Sequence, residues 1–80
     1  MENRKVYVLM GNKVVMDVYV NLEDAFEGAV ENSARITPYP LLAADFRQSL
    51  YKGEVWSAHT EGTEIQPLIS YYVFEKEIKS

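Results

Sequence analysis

The sequence predicts an α+β fold: a mainly antiparallel sheet in the order β-β-α-α-β-β, with both helices packed on one face. Three patterns predict it. Residues 5–20 alternate β-branched and aromatic side chains around a glycine-asparagine pair, and residues 54–78 return to the same period of two after an intervening stretch of helical spacing. Between them, apolar residues recur at i, i+3, i+4, i+7 and i+8 from Leu22 to Val30. Eighty residues fit one domain, 1–80, close to the size at which a single core is only just sufficient.

The first element is a β-hairpin. Gly11-Asn12 supplies the positive φ angles of a two-residue turn, which sets Met10 against Lys13, Leu9 against Val14, Val8 against Val15 and Tyr7 against Met16. One face then holds Tyr7, Leu9, Val14, Met16, Val18 and Val20. The other holds Val6, Val8, Val15 and Tyr19, interrupted by Lys13 and Asp17, and is more apolar than a water-facing surface requires.

Asn21 occupies an N-cap position, with Asp24 three residues on as a short version of the capping-box acid. The stripe of Leu22, Ala25, Phe26, Ala29 and Val30 is expected to pack on the first hairpin face, while Glu23, Asp24, Glu27 and Glu31 lie elsewhere on the helix. Asn32 and Ser33 are expected terminators. Thr37-Pro38-Tyr39-Pro40 stops any helix from continuing, because a residue before proline is pushed out of the α region. Leu42, Ala43, Phe46 and Leu50 then return to helical spacing, and Lys52-Gly53 reads as a helix end, so a second helix is expected from Leu41 to Tyr51.

From Glu54 the chain predicts a second hairpin turning at Glu61-Gly62, with His59 opposite Glu64, Ala58 opposite Ile65 and Ser57 opposite Gln66. Pro67 interrupts the ladder. A long strand follows from Leu68 to Ile78, with Tyr71 and Val73 on one side and Tyr72, Phe74 and Ile78 on the other.

Composition narrows the function. Eight basic and twelve acidic residues give a net charge of −4, and the cations form no stripe, so nucleic-acid binding is not expected. No cysteine is present, which removes disulfides, thiolate catalysis and cysteine-ligated metals. The first residues lack the apolar segment of a signal peptide and no apolar run reaches membrane-spanning length, so a cytoplasmic protein without membrane association is expected.

The polar constellation with most chemical content is His59 with Glu64 and Ser57, a carboxylate-oriented base beside a hydroxyl. Tyr72 and Glu61 would stand near it. The same residues also describe an exposed cross-strand pair, contributing a few tenths to about 1 kcal/mol, and no G-x-S-x-G turn or second histidine supports catalysis. Glu23, Glu27 and Glu31 share a helix side at the spacing of a weak hard-cation site, yet neither a calcium loop nor a paired-histidine motif exists. No metal and no cofactor is therefore expected, and no glycine-rich phosphate loop is present.

Aromatic residues are the surplus: six tyrosines, three phenylalanines and one tryptophan exceed what one small core readily hides. Together with the second hairpin face they define a candidate interaction surface of Val6, Val8, Val15, Tyr19, Tyr71 and Tyr72. The expected function is a non-enzymatic protein-interaction or regulatory module that binds a protein partner and forms a homo-oligomer. The alternative is a small hydrolase or ligand-binding domain centred on His59 and Glu64.

Val6-Tyr7-Val8, a short turn, a second strand and then Leu22-Glu23-Asp24-Ala25 opening a helix resemble the start of small uncharacterised accessory proteins from phages and prophages of bacteria. The resemblance spans roughly the first third of the chain. It implies an accessory role, such as binding a host or phage protein.

Overall fold

Asn12 and Lys13 make the hairpin turn in the computed structural model, which describes residues 3–49, 55–60, 62 and 68–79. Both have positive φ, 48° and 69°, the signature of a type I′ turn. Gly11, the residue expected to open the turn, instead ends strand β1 (Asn3–Gly11) with a negative φ. What it provides there is space. A Cβ at Gly11 would come within 2.7 Å of the Met16 sulfur and 3.2 Å of the Tyr71 ring.

Moving the turn by one residue sets Gly11 against Val14 and Met10 against Val15 in β2 (Val14–Tyr19). A β-bulge follows at Met16, after which Leu9 faces Asp17, Val8 faces Val18 and Tyr7 faces Tyr19. The turn shift moves the pairing by two residues and leaves the faces as expected. The bulge adds one more and exchanges them, so Tyr19 joins the Leu9 face and Val18 joins Val8.

Helix α1 (Leu22–Ile36) covers the Leu9 face. Ala25 and Ala29 are buried, with Leu22, Phe26 and Val30 packed beside them, which is the expected stripe, and Ser33 is buried one turn beyond it. Asn21 is the N-cap, but its side-chain amide donates to the Asp24 carboxylate at 3.2 Å and caps no backbone group. The helix does not end at Ser33. It runs to Ile36, and the Thr37 N–H closes it on the Ser33 carbonyl at 2.9 Å. Ser33 serves as a tie: its Oγ donates to the Val30 carbonyl and accepts the buried Leu41 N–H, both at 2.9 Å.

The second helix does not form. Residues 41–49 contain one 3-10 turn (Ala43–Asp45), closed when the Asp45 carboxylate accepts the Leu42 N–H at 2.9 Å, and then the two-residue strand β3 (Arg47–Gln48). The reason is competition. A helix of about eleven residues gains little by itself in water, whereas extended backbone from Phe46 onward stacks the Phe46 ring on Phe26 at 4.4 Å and pairs Arg47 with Ser57. Leu42, expected on the buried stripe, is 64% exposed. The predicted order β-β-α-α-β-β with two helices on a sheet is therefore replaced by five antiparallel strands, one α-helix and one 3-10 turn among the described residues.

Strand β4 (Val55–His59) pairs with β5 (Ser70–Lys79), which in turn pairs along its length with β1, giving the spatial order β2-β1-β5-β4-β3. Ser57 lies opposite Tyr72, Ala58 opposite Tyr71 and His59 opposite Ser70. The predicted partners Glu64, Ile65 and Gln66 lie outside the described residues, as do Pro67 and Leu50–Gly53. The long C-terminal strand divides its side chains as expected, Tyr71 and Val73 fully buried towards α1, Tyr72 and Phe74 on the other side. The buried core is Leu9, Ala25, Ala29, Leu41, Phe46, Ala58, Tyr71 and Val73, all on the helix side of the sheet.

Candidate binding face and a neighbouring cleft

Because α1 and the 3-10 turn cover one side of the sheet, the other side has no described element over it. The register puts Val6, Val8 and Met10 of β1, Val15 and Val18 of β2, Tyr72, Phe74 and Ile78 of β5, and Val55 of β4 on that side. Val15, Val18 and Ile78 are 57%, 52% and 50% exposed. The Tyr72 and Phe74 rings lie nearly parallel, 28° apart with centroids at 6.2 Å, and His59 meets Tyr72 edge-on at 6.4 Å. Val8, Met10, Val15, Phe74 and the Lys76 stem line a shallow apolar hollow of about 290 Å³.

Charge divides between the two sides. Among the described strand residues, the open face carries Arg4, Lys76, Arg47 and His59 and no carboxylate; Asp17, Glu75 and Glu77 belong to the helix side. There Glu75 accepts from the Tyr7 hydroxyl at 3.3 Å and lies 3.8 Å from the Lys5 ammonium. Glu23, Asp24, Glu27 and Glu31 surround Tyr19, whose hydroxyl sits where a Cβ on Gly28 would be. Partial burial, and then the charges of Asp17, Glu31 and Asp24, raise the Tyr19 pKa above the ordinary tyrosine value.

Of the six residues expected to form an interaction surface, Val6, Val8, Val15 and Tyr72 share the open face. Tyr19 and Tyr71 do not. The bulge turns Tyr19 towards α1, and Tyr71 is fully buried, its hydroxyl donating to Asn32 Oδ1 of α1 at 2.6 Å. Burial raises the Tyr71 pKa. Sequence reasoning missed Val18, Met10, Phe74, Ile78 and Val55 on this face. Met10 and Phe74 were recoverable from strand alternation once β1 was placed beside β5; Val18 was hidden by the bulge.

His59 and Ser57 lie two residues apart on β4 and line a cleft of about 770 Å³ with Tyr39, Leu42, Asp45 and Arg47. The hydroxyl within reach of the imidazole is that of Ser70, with Nδ1 2.8 Å from Oγ. Glu64 lies outside the described residues. No described carboxylate bonds to the ring, and Arg47 donates from Nη1 to the Ala44 and Phe46 carbonyls. Among the described residues the geometry gives a base beside a hydroxyl, with no carboxylate bonded to the imidazole to align it. No group of three or more metal-ligating side chains occurs among the described residues.

No described helix is long and apolar enough to cross a membrane. Architecture and face together define the class: a five-stranded antiparallel sheet with one layer of helix and an apolar side that no described element covers. No protein-family model, curated protein or solved structure matches the chain.

Proposed function

We propose that the protein is a non-enzymatic protein-interaction module whose working surface is the helix-free side of the sheet, with the accessory role that its resemblance to phage and prophage proteins implies. One observation carries this reading: the apolar side chains on that side are contiguous across four strands and lack any carboxylate among the described strand residues. Isolated apolar residues on a surface are ordinary, but a patch spanning neighbouring strands is the pattern of a contact surface. Tyr72 and Phe74, flanked by the hollow at Val8, supply aromatic anchors and a place for a partner's side chain to insert.

The test is site-specific photocrosslinking in the source cell. A photoreactive residue at Tyr72 should give a discrete protein adduct that Val18→Lys abolishes, while the same residue at Glu27 on the helix should give none. Adducts at Glu27 alone would sink the reading.

The 2.8 Å contact between His59 and Ser70 beside the cleft favours a second reading, a small hydrolase or ligand-binding domain. On that reading His59→Ala and Ser70→Ala each lower turnover of an activated ester by about 10²–10⁴-fold. Equal rates for the variants and the parent protein would dismiss it.

A further inference from the structure

The open face has the size and chemistry of one half of a symmetric sandwich. Four strands about 4.8 Å apart, averaging about 25 Å in length, span on the order of 500 Å² in projection. Side-chain relief brings the accessible area towards the roughly 800 Å² per partner of a standard stable interface. We infer that the occupant of this face is a second copy of the chain, packed sheet on sheet about a two-fold axis, an assignment that rests on the interaction-module reading above.

Charge placement selects the axis. On the two central strands Arg4 and Lys76 stand at one end and Met10 and Tyr72 at the other, with Ser57 beside Tyr72 and Arg47 beyond it on the edge strand. A two-fold axis lying in the interface and perpendicular to the strands reverses their direction, so the cationic end of each copy covers the aromatic end of the other. Lys76 then approaches the Tyr72 ring of the partner copy, a favourable cation–π arrangement, and the Arg4 and Lys76 charges of the two copies stay at opposite rims. An axis parallel to the strands would instead bring the Arg4 and Lys76 ends of the two copies together. No carboxylate on a described strand residue has to be desolvated in this packing, because those side chains belong to the helix side.

Single-stranded nucleic acid could stack on the same aromatics, but the face offers it little charge. Among the described strand residues its permanent cations are Arg4, Lys76 and Arg47, the last already donating from Nη1 to two carbonyls, on a chain of net charge −4.

Light scattering on the full chain from about 1 to 500 µM tests the assignment. The expected mass is twice 9.2 kDa at the upper end. Val18→Lys should weaken association by about 100-fold while leaving the circular dichroism of the dilute protein unchanged, since Val18 is half exposed in the single chain. Val14→Lys, on the same strand but facing the helix side, should leave association as it was. The photocrosslink at Tyr72 should run at twice the chain mass.

Three results would overturn the second copy. One is a dimer that survives Val18→Lys. Another is a monomer at every concentration whose Tyr72 adduct has some other protein's mass, which sinks the copy but keeps the interaction module. The third is a monomer that binds a labelled oligothymidylate at low salt and loses it on Tyr72→Ala, which sinks both.

Discussion

At the scale of single residues, two of the three tyrosines expected at a binding surface, Tyr19 and Tyr71, turn out to pack against the helix. Tyr71 reaches from β5 through the core to Asn32 of α1, and its hydroxyl is the polar link across an otherwise apolar layer. Tyr71→Phe should lower stability by about 1 kcal/mol, the usual net value of one such hydrogen bond. Urea unfolding with an unchanged slope would confirm it. Tyr72→Phe, whose hydroxyl bonds to no described residue, should leave the stability of the dilute chain unaltered. Tyr19 makes a different prediction. Burial first, and three neighbouring carboxylates second, keep its phenol protonated above the ordinary value of about 10. The folded state therefore binds this proton more tightly than the unfolded chain. Its contribution is fully present below pH of about 10 and is lost as pH rises through the folded pKa. Thermal melts from pH 8 to 11 should show Tm falling above pH 10, and Tyr19→Phe should flatten that fall.

At the scale of elements, what could be read from the sequence followed how local the determinant was. The stripe from Leu22 to Val30 fixes a helix because its own spacing defines the face. Tyr71, Tyr72, Val73 and Phe74 were sorted correctly because alternation within one strand needs no partner. The bulge at Met16 depends on fitting β2 against β1, and it moved Tyr19 off the open face and Val18 onto it. Residues 41–49 carried a helical period that lost to two non-local contacts, the Phe46 ring on Phe26 and the pairing of Arg47 with Ser57. Ser70 as the neighbour of His59 was out of reach for the same reason, since the strand that supplies it begins eleven residues on. The hairpin turn itself yields a prediction. Lys13 sits at φ 69°, a region that costs an L-residue about 1–2 kcal/mol and glycine nothing. Lys13→Gly creates the favoured Asn-Gly pair at the two positions that need it. It should raise stability by about 0.5–1 kcal/mol after glycine's extra unfolded-state entropy is counted, read as a higher urea midpoint.

At the scale of the whole molecule, the division of charge and apolar surface between the two sides of the sheet decides how assembly should respond to salt. In a sandwich of two open faces the order of layers is helix, sheet, sheet, helix, with the acidic helices outermost. Layers about 10 Å apart place the two helix layers roughly 30 Å from one another. That distance is several times the Debye length of about 8 Å at physiological ionic strength, so repulsion between the two copies is screened before it reaches across. Apolar contact between the faces is strengthened slightly, if anything, by added salt. The dimerisation constant should therefore change by less than about threefold between 0.1 and 0.5 M NaCl, and should weaken only near 0.01 M, where the Debye length grows to about 30 Å. Binding to a polyanion through Arg4 and Lys76 obeys the opposite rule, because each phosphate neutralised releases a counterion and affinity falls as a power of the salt concentration. Sedimentation equilibrium across that range separates the two cases. A constant that is flat above 0.1 M fits one apolar face packed on another, and one that falls steeply with every increment of salt fits a charged partner in its place.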